Sequence, residues 1–180
     1  MKKIVFTFGS IAGAIVGGLM FATFPLGQNG TISFENSMLV GYTTMIIALS
    51  MIFFAIKSYR DNQLNGTISF GKALVVGLWI TLVAAIIYAL TWEVMYNTIA
   101  SDFAEKMITH SVEKMKEAGA TVEEVMTKKK KMEADFEWYK NPILRFGMTI
   151  MEIAPVGVLI SLICAALLRK KEFLPSANKN

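Results

Sequence analysis

The chain has 180 residues, 54% of them hydrophobic and 18% charged, with a mean hydropathy of +0.48 and a formal net charge of +4. That balance excludes an ordinary soluble domain and points to an integral membrane protein. Its basic residues sit in short clusters beside apolar runs, where they serve a membrane and not a nucleic acid; one cysteine, Cys164, and one histidine, His110, exclude a disulfide framework and a His-rich metal site.

A helix needs about 20 apolar residues to cross a hydrocarbon core of roughly 30 Å. Residues 4–24 are the first stretch of that kind. Lys2 and Lys3 precede it as they would a signal peptide, but the apolar run is too long and no small-x-small cleavage site stands before Pro25. It reads as an uncleaved span. Within it Gly9, Gly13 and Gly17 recur every four residues, with Ser10, Ala14 and Gly18 alongside. Such ridges let two helix backbones approach closely in lipid, either inside one chain or between two copies.

Residues 29–34 read NGTISF, and residues 65–70 repeat them; the similarity runs on to Gly41 and Gly77. Each copy stands directly before a span, at 38–56 and 73–91. An inverted-repeat transporter would extend the likeness through whole helices. Here only scattered matches such as Ala48 with Ala84 follow. The local reading is a helix-entry device: Asn-Gly makes a turn, Ser33 or Ser69 caps the next helix, and the following Phe settles at the interface. The fourth span, 143–168, opens with NPILRFGM, placing Asn141, Phe146 and Gly147 in register with Asn65, Phe70 and Gly71. One entry grammar is therefore expected three times. Small residues at fourfold spacing return in the third span (Gly77, Thr81, Ala85) and the fourth (Gly157, Ser161, Ala165).

Between the third and fourth spans lies a long excursion, 92–141, with ten acidic and eight basic residues. Helix formers and helical apolar spacing predict one helix from about 98 to 118, carrying Phe103, Met107 and Met115, and another from 122 to 140, carrying Val122, Val125, Met132, Phe136 and Tyr139. Gly119 suits a C-terminal cap, and Thr121 with Glu124 forms a capping box. A helical hairpin over 98–140 is expected, its stripe narrow and rich in methionine. The lysines 128–131 have acidic neighbours and read as a solvated face. Trp92, Tyr96, Trp138 and Tyr139 gather where the excursion meets the membrane, as an aromatic belt.

Lys2, Lys3, Lys57, Arg60, Lys72, Arg169, Lys170 and Lys171 fall on one side of these spans, whereas residues 25–37 carry no Lys or Arg. The positive-inside rule then places both termini in the cytoplasm and the hairpin outside.

Only Glu152 is a carboxylate well inside a span. Arg145 lies seven residues earlier on the same helix face, Glu93 at the outer end of the third span could pair with it, and Pro155 leaves the carbonyl of Met151 without an intrahelical donor. Glu152, Arg145 and Glu93 form the candidate polar site. As function the set is a proton or cation relay. As structure it is a protonated Glu152 hydrogen-bonded to a Ser, Thr or Tyr of a neighbouring helix, with an interfacial Glu93 and Arg145 pair. The structural reading is preferred, because the several buried acids of a pump are missing.

The stretches IALSMIFFAIKSYRDNQLNGTISFGKALVVGLWITL and YKNPILRFGMTIMEIAPVGVLISLICAALLRKK resemble a domain-of-unknown-function family of small four-span bacterial membrane proteins. The resemblance implies four spans and a bacterial inner-membrane location, and it supplies no catalytic residue.

The expected molecule is a single membrane domain over 1–180, all-α and integral, with four transmembrane helices and an extracytoplasmic helical hairpin between the third and fourth. No nucleophile-and-base set, metal cluster or cofactor motif is legible, so no catalytic, cofactor or metal residues are assigned and an enzyme is not expected. The leading function is a non-catalytic accessory or scaffold subunit; the alternative is a small transporter or ion-conducting component using Glu152, Arg145 and Glu93. The expected partners are the lipid bilayer and a membrane protein or second copy, with no nucleic acid.

Overall fold

The computed structural model describes residues 1–170 and 173–174, with the backbone alone at 34 and 35. Lys171, assigned above to the basic flank of the last span, lies outside the described residues. Among the described residues seven helices follow in order: α1 (Lys2–Gln28), α2 (Phe34–Leu49), α3 (Met51–Gln63), α4 (Phe70–Thr98), α5 (Phe103–Glu117), α6 (Val122–Tyr139) and α7 (Pro142–Leu168). Among the described residues there is no strand. Four stretches of the described residues are long and apolar enough to cross a membrane: Lys2–Gln28, Asn36–Gln63, Phe70–Thr98 and Pro142–Leu168.

Several boundaries differ from the sequence reading. The first helix does not stop at 24 but carries Pro25 inside its last turn. Pro25 withholds an N–H from the turn before it. The chain recovers when Asn29 N–H donates to the Pro25 carbonyl at 2.9 Å and Ile32 N–H to that of Leu26 at 3.0 Å. The second span is longer than 38–56 and is broken at Ser50, where the hydroxyl donates to the Ile47 carbonyl at 2.6 Å and competes with the helical ladder. The third span passes 91 and reaches Thr98. No Gly or Pro interrupts it there, and Asn97 and Thr98 turn their side chains back onto the carbonyls of Glu93 and Val94 at 2.7 and 2.8 Å. Helix α5 accordingly starts at Phe103 and not at 98.

Both NGTISF copies act as helix entrances. Gly30 and Gly66 adopt φ of +73° and +79°, a backbone that glycine reaches without a steric penalty. Ser33 Oγ then accepts from Asn36 N–H at 3.3 Å, and Ser69 Oγ from Lys72 N–H at 3.4 Å. The third entrance departs from the shared grammar. Asn141 itself caps α7, accepting from Ile143 N–H at 2.9 Å. The reason is Pro142, whose fixed φ suits the first helical position and starts the helix four residues earlier than the register implied.

The chain divides into two compact units, Met1–Ala89 with Thr149–Asn180, and Leu90–Met148. The first has an apolar core that includes Val16, Leu49, Ile52, Val76, Ile80, Ile153 and Ala165. Its helices meet through small residues. A Cβ added at Gly9 would lie 2.7 Å from Val83 Cβ, and one at Gly13 2.7 Å from Ile87 Cβ, so the first-span ridge, Gly17 included, is buried. The glycine ridge is used inside the chain, by α4. The ridges of the third and fourth spans mate with each other: Gly77 lies against Ser161, and Gly157 against Thr81. These registers run parallel for α1 with α4 and antiparallel for α4 with α7. At one end of this unit the Met1 ammonium donates to Gln63 Oε1 at 3.1 Å.

In the second unit α5 and α6 contact each other. Gly119 has φ +80°, its N–H donates to Lys116 and the N–H of Ala120 to Met115, closing α5 with a Schellman turn. Thr121 and Glu124 form the capping box that opens α6. Of the expected stripe, Val125 is buried, whereas Val122, the first residue of α6, is 77% exposed. The lysines 128–131 are exposed.

Candidate functional site

In the second unit α4 presents Trp92 and Glu93, with Tyr96 four and three residues further on and so beside both on the helix surface. The Asn141 cap sets the first turn of α7, in which Arg145 N–H donates to the Asn141 carbonyl at 3.0 Å. This brings the Arg145 guanidinium onto Glu93. Its Nε donates to Oε1 at 2.9 Å and its Nη2 to Oε2 at 2.5 Å. Nη1 donates to the Tyr139 carbonyl at 3.2 Å, and the guanidinium lies 3.8 Å over the Tyr96 ring. Arg145 is 2% exposed and the Glu93 side chain 19%.

Aromatic rings enclose the pair. Trp92 Nε1 donates to the Tyr139 hydroxyl at 2.8 Å, and Phe103 packs edge-on against Trp92 with centroids 5.2 Å apart. Tyr96 and Phe136 both meet Tyr139 edge to face. Three members of the expected aromatic belt, Trp92, Tyr96 and Tyr139, thus also enclose a charge. A guanidinium does not release its proton at ordinary pH, and a fork-to-fork pair uses both carboxylate oxygens. The arrangement clamps the end of α4 to the start of α7 and offers no proton to pass on.

Glu152 belongs to the first unit. Its Oε2 accepts from the Tyr88 hydroxyl at 3.3 Å. Tyr88 is 7% exposed, whereas Glu152 stands on the exposed side of α7. The structure thus brings Arg145 and Glu93 together in one unit and gives Glu152 a tyrosine in the other.

Arg60 is a site that sequence reasoning passed over. It was read only as one of the cytoplasmic positive charges, and it is fully buried in the first unit. Its Nη1 donates to the carbonyls of Leu168 and Phe173 at 3.3 and 2.9 Å, and its Nη2 to that of Leu174 at 2.5 Å. Asp61 balances it from Oδ1 at 2.7 Å and also holds Lys57 at 2.6 Å. The guanidinium satisfies the last carbonyl of α7, that of Leu168, with two more from the chain beyond it, and suits the negative end of the helix dipole. Phe173 is fixed by the same turn, edge-on to Phe53. The sequence signal was present in part: Asp61 follows Arg60 directly, an arrangement that a headgroup-facing arginine does not need.

Among the described residues no three His, Cys, Asp or Glu side chains converge. Neither the curated proteins nor the solved structures contain a match to the chain. The family model of DUF4199, a protein of unknown function, matches residues 7–170. That match takes in the first apolar helix from residue 7 on, the other three whole, the Arg145 clamp, Glu152 and Arg60, and the chain belongs to this family.

Proposed function

We propose that this chain is a multi-pass protein of a bacterial inner membrane that serves as a non-catalytic accessory or scaffold subunit. Both termini are cytoplasmic, and α5 with α6 forms a helical hairpin on the outer side that binds a partner protein. The carrying observation is the incomplete cover of that pair. Along α5 and α6 only Val125 is buried, Met107, Met115, Met132 and Phe136 are half-buried, and Met126 is 55% exposed. Methionine is flexible and polarizable, and a stripe of it adapts to a partner's surface. The orientation rests on the basic flanks. It gains support from the first unit, where Met1 meets Gln63 and Leu174 meets Arg60, so the first and last described residues share one end.

A photoreactive residue at Met126, introduced in native membranes, is expected to give one discrete protein adduct, with none from the same residue at Lys129. Equal labelling at both positions, or lipid adducts alone, would overturn the reading.

The second reading, a small transporter or ion-conducting component, is favoured by Glu152 alone, a carboxyl on the exposed side of an apolar helix. The closed pair of Arg145 and Glu93 fits support better than conduction. Glu152→Gln in proteoliposomes tests it: a flux lost with the fold intact would move the assignment to transport.

A further inference from the structure

Glu152 stands ten residues after the start of α7, about 15 Å along a helix that rises 1.5 Å per residue. It is therefore near mid-span, and it is on the outer side of the helix. The neighbours on that side are Met151, 72% exposed, Pro155, also exposed, and Leu159, 59% exposed. The opposite face carries Ile153, Gly157 and Ser161, all buried. A carboxyl turned to hydrocarbon is costly unless another chain meets it.

The chemistry of the patch is one-sided. Glu152 receives one donor, the Tyr88 hydroxyl, at 3.3 Å on Oε2. Pro155 has no N–H to give to the Met151 carbonyl, so a backbone acceptor lies beside the carboxyl acceptor. The spot offers acceptors within an apolar frame. A second copy docked face to face through this side would set backbone acceptor against backbone acceptor.

We propose that this face of α7 is an intramembrane docking site for one transmembrane helix of a different protein, which presents a Lys or Arg at mid-span to Glu152. Met151 and Leu159 supply the packing above and below the pair. The site is separate from the α5 and α6 surface, and either can fail without the other.

The test uses the full-length chain, fluorescently labelled, in phosphatidylcholine vesicles. The probe is an apolar transmembrane peptide of about 20 residues with one central lysine, compared with its twin carrying leucine there. Energy transfer is expected to half-saturate at a peptide density about tenfold lower for the lysine peptide, the scale of a strong interhelical hydrogen bond in lipid. Glu152→Leu is expected to abolish the preference while helix content and the melting transition hold. Glu152→Gln, which keeps the shape, is expected to reduce it. Equal binding of the two peptides, or a preference that survives Glu152→Leu, would overturn the proposal. Energy transfer between two labelled copies that Glu152→Leu removes would also overturn it, by putting a second copy on this face.

Discussion

Arg145 grips Glu93 at two points, Nε to Oε1 and Nη2 to Oε2, while its guanidinium lies 3.8 Å over the ring of Tyr96. Charge alone does not explain this geometry. A planar fork is needed to meet both oxygens and stack at once, and lysine has none. Arg145→Lys should therefore lower stability although the charge is kept. The loss expected is about 1.5–3 kcal/mol, one charge-assisted hydrogen bond. Arg145→Met, which strands Glu93, should cost about 3 kcal/mol, the lower end for a broken buried pair because Glu93 is partly exposed. The double change Glu93→Gln with Arg145→Met should cost less than the sum. Equilibrium unfolding in mixed micelles measures all three; a lysine variant as stable as the native chain would reduce the clamp to a simple charge contact.

The glycines make a sharper packing test because the chain contains its own control. A Cβ at Gly13 would press on Ile87 Cβ at 2.7 Å, close to the α4 backbone, and one at Gly157 would collide with Thr81. Gly18 has nothing within 4 Å of such a Cβ. Gly13→Ala and Gly157→Ala should each destabilise by about 1–3 kcal/mol through overpacking. Gly18→Ala should be neutral or stabilising by up to about 1 kcal/mol, since alanine is the better helix former. If Gly13→Ala is as mild as Gly18→Ala, the close approach of α1 to α4 is wrong.

Arg60 ties the chain beyond α7 to α3 through the carbonyls of Leu168, Phe173 and Leu174. Arg60→Gln keeps polar reach but not the charged fork. Trypsin should then cut after the exposed Arg169 and Lys170 about tenfold faster, the ratio that follows from losing one charged hydrogen bond of roughly 1.5 kcal/mol. Unchanged cleavage would mean that Phe173 and its ring contact hold the segment without Arg60.

What was legible in the sequence was what neighbours dictate. The positions of the spans, though not their ends, follow from hydropathy over about 20 residues. The caps at Ser33, Ser69 and Thr121 follow from side chains that reach only three residues ahead. The break at Ser50 had no local marker, because a lone serine in an apolar run occurs in straight and bent helices alike. Gly9, Gly77 and Gly157 show one spacing, and only tertiary structure decides that the first meets Val83 while the other two face a mating ridge. Arg60 was the plainest miss. A cation beside an apolar run carries the same signal whether it faces headgroups or, as here, carbonyls more than a hundred residues away. Register misled at Asn141, where Pro142 moved the helix start.

The start of α6 offers a prediction in pH. Glu124 Oε2 accepts from the Thr121 N–H at 2.8 Å and from its hydroxyl at 2.9 Å, while Thr121 Oγ1 accepts from Glu124 N–H at 3.3 Å. The Thr121 backbone N–H, and then its hydroxyl, hold the Glu124 carboxyl below its ordinary value of 4.5. Because the folded value is the lower one, the contribution is present above 4.5 and is lost as the pH falls through the folded value. Amide exchange in the first turn of α6 should therefore be slowest, relative to intrinsic rates, above that pH, and protection should fade in acid. Thr121→Ala removes the hydroxyl from both bonds, so the Glu124 carboxyl should titrate at a higher pH than in the native chain. Carboxyl-carbon NMR of Glu124 reads the shift directly. Coincident titration curves for the native chain and Thr121→Ala would mean that the hydroxyl contributes nothing to the box and that α6 starts on its backbone alone.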